Sequence, residues 1–122
     1  GQADFVSLHV RMSEQTRGMI NGEMLAAMKP GSFLINTSRG PVVDEAALTE
    51  ALQRGHLGGA YLDVFETEPL PSDSLLWDMP NVIITPHAAD NVHDWVPRFA
   101  HMFVDNLERW NTGQNLVNVV VP

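Results

Sequence analysis

Three stretches of this sequence hold side chains that together can move a proton and grip an anion. They are Arg39 in "TSRG", the glutamates of "FETEP" and His87 in "TPH". A histidine beside a carboxylate is an acid–base unit, because the carboxylate raises the imidazole's proton affinity and fixes its tautomer. An arginine holds a carboxylate through two parallel N–H donors, which a lysine cannot do. The trio suits proton-coupled hydride transfer on a 2-hydroxy acid. Spacing does not choose between Glu66 and Glu68. Each of these residues alone reads as an ordinary solvated loop charge, so the case rests on whether the chain gathers them.

Two further residues resist a bland reading. Asp63 lies inside the apolar run "AYLDVF", where a carboxylate must be paired or hydrogen-bonded if it is buried. Arg39 sits ahead of a helix expected to begin at Asp44, and a helix N-terminus disfavours positive charge. The helix gives no reason for the arginine.

Four apolar runs of strand length are bounded by Gly, Pro, Asn or Asp: "FVSLHV" (5–10), "SFLIN" (32–36), "AYLDVF" (60–65) and "NVIITP" (81–86). The last three are nearly continuous, as in parallel strands covered on both faces. Helical patterns lie between and after them. "NGEMLAAMKPG" offers Asn21 as cap and Pro30–Gly31 as stop, while "DEAALTEALQRG" is capped by Asp44, faces inward through Leu48 and Leu52, and ends at Gly55. "DNVHDWVPRFAHMFVDNLERWNTG" reads as a long helix with Trp95, Phe99, Met102, Phe103 and Leu107 on its stripe, and Pro97 in its first turn or at a kink. The proline-rich "ETEPLPSDSLLWDMP" is a loop with one turn of helix. The order predicts an α/β fold: a mostly parallel sheet with flanking helices and right-handed crossovers.

Ligands bind such sheets beyond the carboxyl ends of the strands. Those ends deliver His9 and Arg11, then Asn36 to Arg39, then Asp63, Glu66 and Glu68, then Thr85 and His87. One edge therefore collects an arginine, acids and histidines.

Composition narrows the class. Fifteen acidic residues against seven basic give a net charge of −8, which argues against a nucleic-acid surface. There is no cysteine, so neither disulfides nor thiolate chemistry enter. No apolar run has the length of a membrane span, and no signal-peptide pattern opens the chain, so a cytoplasmic setting is expected. A metal site at His87, Asp90 and His93 lacks any helix-face ligand pair, and Ser38 lacks a nucleophile elbow; no metal is expected.

The blocks "ADFVSLHV", "MKPGSFLINTSRGPVVDEAALTEAL", "GGAYLDVFETEPLP" and "NVIITPHAA" resemble the D-isomer-specific 2-hydroxyacid dehydrogenase family, over most of the chain. The resemblance implies half of a Rossmann-type doubly wound domain, with residues 1–113 as the second half of a dinucleotide-binding domain. Residues 114–122 would be a tail leading back toward a substrate domain. It implies Arg39 as the substrate-binding arginine, Glu68 as the glutamate paired with the catalytic histidine, and His87 as that histidine. It also implies a cofactor, NAD or NADP, contacted by His9, Val10, Arg11, Thr37, Ser38, Arg39, Asp63, His87 and Ala89. The substrate would be a small 2-hydroxy or 2-keto acid. A homodimer is expected, formed across the first strand; the alternative is a monomer whose long C-terminal helix or "NLVNVVV" tail covers that edge.

Three departures stand out. The family's Gly-x-Gly-x-x-Gly turn is not in this sequence. "HVRMS" puts Arg11 where the family usually has proline, and "AAD" follows His87 where glycines are frequent. A different class of function, a non-catalytic α/β interaction module with idle site residues, fits the same composition; saturable cofactor binding and turnover separate the two.

Overall fold

The computed structural model describes residues 1–120, in two compact units: residues 1–89 and the stretch from Asp90. In the first unit, β1 (Phe5–Leu8), β2 (Phe33–Asn36), β3 (Gly59–Leu62) and β4 (Val82–Ile84) form one parallel sheet in the order β1-β2-β3-β4. The register pairs Leu8 with Asn36, Asn36 with Leu62 and Leu62 with Ile84. The last residues of all four strands thus stand in one row, and the loops that follow them leave from a single edge.

Helix α1 (Gly22–Ala26) and helix α2 (Glu45–Gln53) link the first three strands. Asn21 caps α1, its Oδ1 accepting the Met24 N–H at 2.9 Å; Asp44 caps α2 by accepting the Ala47 N–H at 2.9 Å. Such caps stabilise by about 1 kcal/mol each. Gly55 ends α2 with φ +68°, a left-handed conformation that suits glycine. Strand residues Leu8, Leu34 and Leu62 pack with Leu25 of α1 and Leu48 and Leu52 of α2 into one buried core. The opposite face differs from the expectation of strands covered on both sides. Phe5, stacked on Phe33 at 5.3 Å, is 65% exposed, and Ile83 is 62% exposed.

Each strand is shorter than its apolar run. Val64 and Phe65 are buried although they have left the ladder, so their apolar character reflects core packing beyond the strand. Arg39 is not directly ahead of α2. A 3-10 turn, Gly40–Val42, intervenes, and Arg39 itself is extended.

The second unit holds α3 (Trp95–Asn111), with Pro97 inside its first turn and Gly113 beyond its end at φ +69°. Its apolar side chains Trp95, Phe99, Phe103 and Leu107 are exposed. The tail from Gln114 belongs to this unit: Asn106 of α3 exchanges two hydrogen bonds with the Val117 backbone, at 2.9 and 3.1 Å. Of the expected tail, Val121 and Pro122 lie outside the described residues. No helix among the described residues is long and apolar enough to cross a membrane.

Candidate active site

The loops leaving the carboxyl edge build the site. His87 follows β4 and occupies the left-handed region at φ 52°, costly for a residue with a side chain. What holds it there is Asp63, 1% exposed just past β3. The Asp63 carboxylate accepts the Ala88 and Ala89 N–H groups, both at 2.9 Å, and the Thr85 hydroxyl. Three donors flanking His87 therefore converge on one buried carboxylate. Burial pushes the Asp63 carboxyl up, but these hydrogen bonds and the nearby imidazole outweigh it, and its pKa lies below the usual 3.8.

The His87 side chain then meets Glu68. Nδ1 lies 2.7 Å from Glu68 Oε2, while Glu68 Oε1 accepts the Phe65 N–H at 3.0 Å. With Nδ1 donating to the carboxylate, Nε2 is left for a ligand on a ring that is 47% exposed. The hydrogen bond that Glu68 accepts and its charge raise the imidazole pKa above 6.5; partial desolvation and the positive charge of Arg39 oppose the rise. Burial works to raise the Glu68 pKa, yet the bonds from His87 and Phe65 hold it below 4.5.

Arg39 is presented by a loop tied to Asn36, the buried last residue of β2. Asn36 Oδ1 accepts the Ser38 N–H at 3.1 Å and the Ser38 hydroxyl at 2.9 Å, and its Nδ2 donates to the Arg39 carbonyl at 3.1 Å. Gly40 presses this loop against the next. A Cβ there would stand 1.8 Å from the Phe65 carbonyl oxygen, so only glycine permits the approach. A second tie crosses the same junction: the Glu45 N–H donates to Glu66 at 3.1 Å and the Glu66 N–H to Glu45 at 3.0 Å. Burial, and after it the Glu66 charge, pushes the Glu45 carboxyl up against the pull of that N–H bond. The two glutamates left open by spacing thus diverge. Glu66 binds the start of α2; Glu68 meets His87.

Two cavities flank the edge. One of about 620 Å³ is lined by Glu68 and His87 together with Leu70, Trp77 and Ile84. The other, about 510 Å³, is lined by His9, Val10, Arg11, Met12, Thr37, Ser38 and Arg39. The expected site residues fall into these two groups. Asp63 and Ala89 stand apart, bonded to each other. Ser38 reaches the second cavity with its hydroxyl already given to Asn36, and His9 Nε2 lies 2.8 Å from the Ser7 hydroxyl. Asn36 and Thr85, which position the Arg39 and His87 loops, are not among the expected site residues. A polar residue at the end of an apolar strand, as in "FLIN" and "IITP", was the available signal.

A parallel sheet with flanking helices, its carboxyl-edge loops lining both cavities, is a Rossmann-type arrangement. The family model for the D-isomer specific 2-hydroxyacid dehydrogenase NAD binding domain matches residues 1–89, and the chain belongs to this family. Among relatives, (S)-sulfolactate dehydrogenase of Chromohalobacter salexigens is 56% identical over 108 residues, covering 88% of this chain and 35% of that protein. Glyoxylate reductase of Korarchaeum cryptofilum is 48% identical over 120 residues, covering 96% and 36%. The crystal structure of a D-isomer specific 2-hydroxyacid dehydrogenase from Xanthobacter autotrophicus Py2, in complex with NADPH and MES, superposes with TM-score 0.83 at 44% identity, over 98% of this chain and 49% of that one. Apo D-mandelate dehydrogenase of Rhodotorula graminis gives TM-score 0.87 at 35% identity, over 99% and 35%. The chain spans about a third of the length of these curated relatives.

Proposed function

We propose that this chain is the catalytic segment of a 2-hydroxyacid oxidoreductase that interconverts a D-2-hydroxy acid and its 2-keto acid. In this reading residues 1–113 are the second half of the cofactor domain and residues 114–122 the run toward a substrate domain. The observation that carries the reading is His87, its Nδ1 held by Glu68 at 2.7 Å, at the same carboxyl edge of the sheet from which the Arg39 loop leaves.

Arg39 takes the substrate carboxylate. His87 holds a proton on Nε2, gives it to the carbonyl oxygen as that oxygen becomes a hydroxyl, and takes it back in the reverse direction. Glu68 stabilises the imidazolium and keeps the ring turned. When bound, NAD or NADP supplies or accepts the hydride. The cavity of His9, Val10, Arg11, Thr37, Ser38 and Arg39, at the same carboxyl edge, would take part of that cofactor. Asp63 and Ala89 would serve the cofactor from behind, by fixing the His87 turn. Relatives named for sulfolactate and glyoxylate support a small polar substrate. A homodimer in a cytoplasmic setting completes the reading.

The test is turnover by the full-length protein with NADH or NADPH and a panel of 2-keto acids. Cofactor oxidation matched by formation of the D-2-hydroxy acid is expected; no oxidation with any member of the panel would overturn the proposal.

A further inference from the structure

Trp77 is 51% exposed, yet its indole N–H is not left to water. Nε1 donates to the Pro71 carbonyl at 2.9 Å. The tryptophan is presented from a 3-10 turn, Leu75–Asp78, that is itself anchored: Leu76 is buried in the core, and the Ser74 hydroxyl accepts the Leu76 N–H at 3.4 Å. What Trp77 holds is the segment that carries Glu68. Among the described residues, the Pro71 carbonyl is the one main-chain group of residues 67–71 hydrogen-bonded to protein, and it accepts the Ser74 N–H at 3.1 Å as well. Pro69 and Pro71 supply no N–H, and their fixed φ stiffens the short link between that carbonyl and Glu68. Leu70, between them, is buried and ties the link to the core. Trp77 also shares the wall of the cavity of about 620 Å³ with Glu68, Leu70, Ile84 and His87.

Packing alone gives no reason for tryptophan over another apolar residue at so open a position; the N–H does. Both partners of the 2.7 Å Glu68–His87 bond are reached by water, which competes for it, so the orientation of Glu68 must be held by the chain. The Phe65 N–H holds Glu68 Oε1 from the side of β3. We propose that Trp77 is a positioning residue that restrains the other side: its indole N–H on the Pro71 carbonyl sets the path of the Glu68 segment, and its ring walls the shared cavity, so that the Glu68 carboxylate stays turned toward His87 Nδ1. This rests on the reading of His87 as the acid–base group.

The experiment follows the His87 imidazole by NMR across pH in the full-length, cofactor-free protein, its signal assigned by its loss in His87→Ala. Trp77→Phe keeps an apolar ring and removes the donor. In that variant His87 should titrate at lower pH than in the wild type, because Glu68, the largest cause of its raised pKa, is no longer held in place. Asp63, which also raises it, and Arg39, which lowers it, are untouched by the substitution. Above the pH of the wild-type limb, kcat for 2-keto acid reduction should fall by about 2- to 10-fold, the worth of one hydrogen bond, with KM for NADH or NADPH unchanged. In a Glu68→Gln background Trp77→Phe should add no further shift, since the two act through one bond. Leu75→Ala, in the same turn but outside the cavity, should titrate as the wild type. An unchanged His87 titration in Trp77→Phe would overturn the proposal, even with a lowered melting temperature, since Trp77 would then serve the fold alone. So would a shift that persists undiminished in the Glu68→Gln background. The NMR readout needs no turnover: a protein inactive on every 2-keto acid, whose His87 titration still depends on Trp77, would refute the oxidoreductase reading and support the positioning role.

Discussion

At the scale of single residues, the site is a set of charges whose pKa values are pushed apart. His87 lies above 6.5 chiefly because Glu68 accepts its hydrogen bond. Reduction of a keto acid requires the protonated imidazole, so activity in that direction should hold at low pH and fall as pH rises through the elevated value. Replacing Glu68 by Gln removes the largest cause of the elevation. The falling limb of kcat against pH should then move to lower pH, and a limb that stays in place would show that Glu68 does not set the His87 pKa. Arg39→Lys keeps the charge but loses the planar fork. It should raise KM for the 2-keto acid and also lower kcat, whereas steady-state kinetics equal to wild type across a substrate panel would remove Arg39 as the carboxylate clamp.

At the scale of elements, what positions these residues is the backbone junction between the loops after β2 and β3. Gly40 allows it, and the Glu45–Glu66 exchange ties it. Gly40→Ala would drive a methyl into the Phe65 carbonyl, so the loops must separate at a cost of about 3 kcal/mol or more. Urea denaturation should report that loss, together with reduced kcat, because Arg39 and Glu68 would no longer be set relative to each other; wild-type stability would show that the junction yields freely. Much at this scale was legible in the sequence. Apolar runs marked all four strands, and Asn21 and Asp44 announced both short helices because capping is a local interaction. The choice of Glu68 over Glu66 was not legible from spacing, since only the path of the loop decides which carboxylate reaches His87. The duty of Asp63 was hidden for a related reason: its partners Ala88 and Ala89 are 25 and 26 residues away in sequence. The sequence said only that a buried carboxylate needed donors.

At the scale of the whole molecule, β1 has a neighbour on one side alone among the described residues, and Phe5 lies exposed beside that edge. An unpaired parallel edge with an apolar face favours association. The 122-residue chain should therefore run in light scattering at twice its 13.5 kDa mass, and Phe5→Glu should return it to a folded monomer. A 13.5 kDa species at high micromolar concentration would contradict the homodimer. Leu8 is unsuitable for that test although it belongs to the same strand, because it is 5% exposed on the core side and a charge there would break the core.

The central claim is that His87 is the acid–base group of this edge, and the most direct measurement is the turnover of His87→Ala in the full-length protein. General acid–base catalysis by a positioned histidine contributes about 10²- to 10⁴-fold, so kcat should fall by that factor while the affinity for NADH or NADPH, measured by titration, stays within about twofold. A variant that keeps the wild-type kcat would contradict the assignment of His87.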